Sequence, residues 1–131
     1  MEQKTYTLGQ RYIGAGQSAG TIILNEVPGN ALGAYLDGAN IIVNCSAQDA
    51  TGDTMNAGEI TIHGSTGDAA GYAMRGGAIY VQGDAGYRAG IHMKEYKEKV
   101  PVLVIGGRTG SFLGEYQAGG IIVVLGIGSE D

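Results

Sequence analysis

The chain has 131 residues, 25 of them Gly, nearly three times the usual share of roughly 7%. Its length excludes a two-domain Rossmann enzyme or a (β/α)8 barrel, and its 29 Leu, Ile, Val and Phe residues allow one modest core. A formal net charge of −5 argues against binding nucleic-acid phosphates, and no apolar run is long enough for a membrane helix.

Residues 1–13 read as an N-terminal cap without the apolar stretch of a secretory leader, so the expected compartment is the cytoplasm. From residue 14 to 131 the chain reads as one repeat domain. The first repeat opens at Gly14, reaches the small pair Ala19-Gly20 and continues into the alternating aliphatics Ile22 and Leu24. Each of the next three begins 19 residues after the last: Gly33 with Gly38-Ala39 and Ile41/Val43, Gly52 with Ala57-Gly58 and Ile60/Ile62, Gly71 with Gly76-Gly77 and Ile79/Val81. The fifth opens at Gly90, replaces the small pair by Lys99-Val100, and is read with Val102/Val104 as its aliphatics. The sixth follows after 24 residues, with Gly114, Gly119-Gly120 and Ile122/Val124.

Alternating β-branched residues bounded by Gly predict six short strands, each with one buried face, and no segment sustains a helical period. A 19-residue unit cannot bury its apolar side alone, whereas stacked units share a continuous core. The expected fold is therefore all-β, a single-stranded right-handed parallel β-helix of about six coils, right-handed because parallel crossovers almost always are. Gly14, Gly33, Gly52, Gly71, Gly90 and Gly114 are assigned to equivalent corners, where the backbone turns through positive φ or passes too close for a Cβ. The column Gln17, Leu36, Met55, Met74, Met93, Gln117 is apolar in the middle and polar at both ends, as a stack with solvated ends requires. A leucine-rich horseshoe needs more than seven Leu, and the calcium-binding nonapeptide roll has a shorter period.

Chemistry-bearing motifs are sparse. Gly16-Gln17-Ser18-Ala19-Gly20 matches a nucleophile elbow, but that motif needs a strand before the Ser and a helix after it, and here a strand is expected to follow. The pairs Gly52-Asp53, Gly67-Asp68 and Gly83-Asp84 read as turns rather than calcium or phosphate sites, and no cluster has metal-ligand spacing. Cys45 reads as a small hydrophobe at a strand end, and His63 as an outward residue. The run His92-Met-Lys-Glu-Tyr-Lys-Glu-Lys99 carries the insertion and the densest charge, and reads either as a solvated loop or as a binding loop. On the second reading Arg88, His92, Lys94, Tyr96 and Lys97 form a partner contact.

Two stretches carry a resemblance. Gly67-Asp-Ala-Ala-Gly71-Tyr-Ala-Met-Arg-Gly76-Gly77-Ala-Ile-Tyr-Val81 and Gly110-Ser-Phe-Leu-Gly114-Glu-Tyr-Gln-Ala-Gly119-Gly120-Ile-Ile-Val-Val124 resemble the glycine-repeat domain at the C-terminus of the glutamate synthase large subunit. One of the subunits of formylmethanofuran dehydrogenase carries a related repeat. The likeness covers about residues 10 to 128.

The resemblance implies a right-handed β-helix that contributes no catalytic residue and buttresses a glutamine amidotransferase subunit and an FMN-dependent synthase subunit. Together these would make glutamate from glutamine and 2-oxoglutarate. FMN and an iron–sulfur cluster would sit in the partners, with no cofactor or metal in this chain. The alternatives are the corresponding subunit of a formylmethanofuran dehydrogenase or N-methylglutamate synthase, and, from another class, a small independent hydrolase using Ser18. The apolar strand 121–125 invites a partner or self-association through the end coils.

Overall fold

A computed structural model describes residues 9–95 and 97–127. It contains six strands: β1 (Thr21–Leu24), β2 (Asp37–Val43), β3 (Ala57–Ile62), β4 (Ala78–Val81), β5 (Val102–Ile105) and β6 (Ile121–Val124). They form one sheet in sequence order, every neighbouring pair parallel, and no helix occurs among the described residues. A parallel neighbour reached by a tightly turned connection of about a dozen residues is a solenoid coil, so the chain is a stack of six coils.

The register carries the 19-residue period into space. Ile22 lies beside Ile41, Ile41 beside Ile60 and Ile60 beside Ile79. Between β4 and β5 the partner of Ile79 is Leu103, 24 residues on, so the fifth coil accommodates its extra residues outside the sheet. Leu103 then meets Ile122, and the 19-residue offset resumes.

One expectation is corrected here. The inward pair of the fifth coil is Leu103 and Ile105, both fully buried, while Val102 and Val104 face outward and are half-buried. The run Val102-Leu103-Val104-Ile105 is apolar throughout, so alternation cannot choose its phase, and a one-residue slip exchanges the two faces. Pairing with β4 makes the choice.

Three columns of side chains fill the interior. Ile22, Ile41, Ile60, Ile79 and Leu103 form one, Leu24, Val43, Ile62, Val81 and Ile105 the second, and Leu36, Met55, Met74 and Met93 the third. Burying each large side chain is worth roughly 1.5–3 kcal/mol relative to exposing it. At the two ends of the third column, the Gln17 side-chain amide donates to the Ala19 carbonyl and that of Gln117 to the carbonyls of Gly119 and Gly120. Residues 9–13 run along residues 27–30, with Gly9 N–H on the Val27 carbonyl and Gly29 N–H on that of Gln10, as the outermost part of the ladder. The rest of the expected cap, residues 1–8, lies outside the described residues.

Each corner consists of two overlapping tight turns. In the second coil, Ala34 N–H bonds to the Ala31 carbonyl at 3.2 Å and Leu36 N–H to that of Gly33 at 3.0 Å. Gly14, Gly33, Gly52, Gly71, Gly90 and Gly114 all have φ between +63° and +72°. Conformation is only half of the requirement at Gly33: a Cβ there would lie 2.7 Å from Ile60 Cδ1, so the missing side chain is what lets an isoleucine of β3 fill the corner that precedes β2.

Substituting Gly33→Ala should therefore cost about 1–2 kcal/mol more than Gly16→Ala, which has the same left-handed backbone but nothing within 4 Å of its Cβ position. Urea denaturation of both variants checks this, and equal midpoints would remove the packing argument.

Candidate binding surface on the aromatic corner

The corners hold a feature that the glycine pattern does not announce. Residues two before and two after each corner glycine also have positive φ, and most are not glycine. Tyr12, Ala31, Ala50, Ala69, Arg88 and Phe112 form one such column, with φ between +57° and +66°. Tyr35, Thr54, Ala73, His92 and Tyr116 form the other, with φ between +53° and +59°. A non-glycine residue in this region carries a penalty of about 1–2 kcal/mol.

Hydrogen bonding explains why the penalty is met. Gly33 N–H points back to the Ile13 carbonyl of the preceding coil, whereas Ala31 N–H and Tyr35 N–H point forward to the carbonyls of Asp49 and Asp53. The alternation of left-handed residues turns successive amides up and down the stack. Each of these three finds a carbonyl at 2.8–2.9 Å, so none of them is stranded.

In the last two coils the left-handed corner residues are aromatic or basic, Arg88, His92, Phe112 and Tyr116, and all four are exposed; Tyr72 of the fourth coil lies beside its corner glycine. Tyr72 meets His92 edge-on, ring centroids 5.6 Å apart, and His92 stacks on Tyr116 at 5.0 Å with planes 10° apart. The Arg88 guanidinium lies 5.4 Å from the centre of the Phe112 ring. Tyr87, Phe112 and Tyr116 are more than half exposed. Exposed Tyr and Arg clusters of this kind are what dominate protein–protein interface energetics.

Of the residues singled out from the sequence, Arg88 and His92 belong to this surface. Lys94 is exposed just past the corner, its N–H on the Met74 carbonyl, and Lys97 is exposed in the insertion. Tyr96 lies outside the described residues. Tyr72, Phe112 and Tyr116 are not marked by sequence reasoning. The available signal is the offset of 24, which relates Arg88 to Phe112 and His92 to Tyr116 as it relates Gly90 to Gly114.

The remaining polar side chains tie coils together. Asn30 Oδ1 accepts from Asp49 N–H at 3.0 Å, Asp49 Oδ1 from Asp68 N–H at 2.7 Å, and Asp68 Oδ1 from Tyr87 N–H at 2.9 Å. Beside them, Ser46 Oγ accepts from Ser65 N–H, Ser65 Oγ from Asp84 N–H, and Asp84 Oδ1 from Arg108 N–H. The Gly-Asp carboxylates at 68 and 84 are thus engaged in axial bonding, and among the described residues no group of three or more His, Cys, Asp or Glu could hold a metal ion. His63 is exposed with Nδ1 3.2 Å from Gln82 Oε1. Ser18 lies exposed on the turn entering β1, so a strand follows it where an elbow needs a helix, and the two histidines lie in the third and fifth coils.

The geometry defines a β-solenoid repeat protein whose recognisable element is a glycine corner followed by a short strand. The chain belongs to the GXGXG motif family, whose model matches residues 3–130. This family is found in the glutamate synthase large subunit and is associated with glutamate synthase-like oxidoreductases. A curated relative, an uncharacterized protein of Methanocaldococcus jannaschii, is 78% identical over 37 residues, which are 28% of this chain and 14% of that protein. No solved structure gives a significant match. Among the described residues, no helix is long and apolar enough to cross a membrane.

Cys45 is half-buried against the core, and burial, with a smaller contribution from the Glu26 carboxylate, raises its thiol pKa above the ordinary value. A raised pKa keeps the thiol neutral in the folded state, so thiolate accumulates only at higher pH. Alkylation by iodoacetamide at about pH 8 should be slower for the native protein than for the chain in urea, and the native rate should keep climbing above the range where a free thiol has levelled off.

Proposed function

We infer that this chain is a non-catalytic scaffold subunit of a glutamate synthase-type complex. It holds a glutamine amidotransferase subunit against an FMN-dependent synthase subunit, in a cytoplasmic assembly that makes glutamate from glutamine and 2-oxoglutarate. The observation that carries this reading is the family match, which runs over nearly the whole chain, from residue 3 to 130.

The architecture supplies what such a role needs. Coils joined by backbone hydrogen bonds along the axis resist stretching and bending, so surfaces presented by different coils keep a fixed separation. The aromatic corner around Arg88, His92, Phe112 and Tyr116 provides anchors for one partner.

An iron–sulfur cluster does not fit this chain: such clusters are held by several cysteine thiolates, and the sequence has one cysteine. The cluster is therefore assigned to a partner subunit, FMN is placed in the synthase subunit on the family reading, and no step of the reaction is routed through residues of this chain.

A tagged chain expressed in its native organism should retain an amidotransferase and a yellow, flavin-containing synthase, identified by peptide mass and by absorbance. Recovery of molybdenum or tungsten dehydrogenase subunits would instead assign it to formylmethanofuran dehydrogenase, and co-purification of no other chain would overturn the scaffold reading. Replacing both Arg88 and Tyr116 by Ala should weaken retention of one partner by about thirtyfold in Kd, the effect of losing roughly 2 kcal/mol at a hot spot.

A further inference from the structure

The two ends of the stack are unlike. In the first coil the core-facing residues Ile13, Ile22 and Leu24 are all buried. Of their counterparts in the last coil, Ile122 is partly buried, whereas Leu113 and Val124 are each 39% exposed, although Leu32, Ile62 and Ile105 in the same columns are fully buried. The strand β6 bonds to β5 along one edge and is the last strand of the sheet. Its outward residues Ile121 and Val123, and Leu125 just beyond it, are exposed as well. Among the described residues this is an apolar strand paired along one edge with part of the core behind it exposed, an arrangement that soluble proteins avoid leaving bare.

The charge distribution narrows what covers it. In a chain of net charge −5, the twenty residues 108–127 carry only Arg108 and Glu115, one of each sign. Two copies that approach through these described residues meet little like-charge repulsion there, although Glu130 and Asp131 follow in the sequence.

The strand can pair with a second copy of itself so that like faces meet. The geometry points to an end-to-end dimer of this chain, in which β6 pairs antiparallel with β6 of a second copy about a twofold axis through Val123. In that register Val123 faces its own copy, Ile122 faces Val124, and Ile121 faces Leu125. Side chains opposite one another lie on the same face of an antiparallel pair, so the core-facing pair and the outward trio each meet apolar residues only. The neighbouring register, with Ile122 opposite Val123, would place a core-facing residue against a solvent-facing one. Head-to-tail stacking of β6 on β1 would bury an end whose apolar residues are already covered, and would propagate into filaments rather than close.

Light scattering coupled to size exclusion should give twice the chain mass for the 131-residue protein. Val123→Lys places two like charges directly opposite one another and should return the monomer mass, with the far-UV circular dichroism unchanged. Independently of that variant's folding, Val123→Cys in a Cys45→Ser background should crosslink on mild oxidation. Opposed residues of an antiparallel pair have Cα atoms about 4.5–5.5 Å apart, within disulfide range. Ile121→Cys in the same background should not crosslink, because its two copies would lie four residues apart, about 13 Å. A monomeric wild-type chain, filaments, a dimer that survives Val123→Lys in folded form, or crosslinking at residue 121 but not 123 would each overturn the proposal.

Discussion

Everything in this molecule depends on the backbone hydrogen bonds that run along the axis from coil to coil. In an isolated 19-residue loop the amides of the corner would have only water as partner, and the apolar side chains would have nothing to pack against. Stacking satisfies both needs at once, because a carbonyl of one coil lies where an amide of the next arrives, as with Gly33 on Ile13, Gly52 on Leu32 and Gly71 on Thr51. The condition is strict. Coils must have equal length along the bonded path, so the repeat length is fixed by geometry and not by the identity of most residues. The fifth coil shows how the condition is kept when residues are added: they leave the ladder between Met93 and Val102, and Leu103 still arrives beside Ile79.

The same constraint sets which residues occupy the corner. The alternation of left-handed residues is needed to turn amides alternately forward and back. Glycine is demanded most strongly at the middle position, where at Gly14, Gly33, Gly52 and Gly90 an isoleucine methyl from a neighbouring strand lies within 3 Å of where a Cβ would stand. On either side Ala, Thr, Tyr, Arg, His and Phe are accepted in spite of their backbone penalty, the larger rings and the guanidinium projecting into solvent, and the axial hydrogen bonds offset it. These positions project outward at regular spacing. A corner built for backbone reasons thereby becomes a display surface, and in the fifth and sixth coils it displays Arg88, His92, Phe112 and Tyr116, which with Tyr72 of the fourth coil form the candidate contact.

A stack of this kind has sides that are self-sufficient and ends that are not. The sides close their hydrogen bonds internally, and polar side chains such as Asp49, Asp68 and Asp84 add further links between coils. Among the described residues, the far end leaves part of the core exposed beside a strand paired along one edge. Corner and end are thus two distinct surfaces, facing different directions, as the proposed scaffold role would require.

The repeat, the six strands and the corner glycines were legible in the sequence because each rests on a local property. Alternation of Ile and Val specifies a strand with two faces, and a glycine recurring at a fixed interval marks a recurring backbone demand, φ included. The phase of Val102-Leu103-Val104-Ile105 was not legible, since four apolar residues carry no alternation, and only hydrogen bonding to β4 selects Leu103 and Ile105 for the core. Nor were the left-handed conformations of residues such as Ala31, Arg88 and His92, because nothing in an alanine or arginine announces positive φ; the direction in which its amide must point is decided by the adjacent coils. Tyr72, His92 and Tyr116 stand well apart in the chain, and the stacking distance between coils is what brings their rings together. The sequence by itself determined the period and the composition of each column. The tertiary structure decided which columns face each other, since that depends on contacts between residues about twenty positions apart.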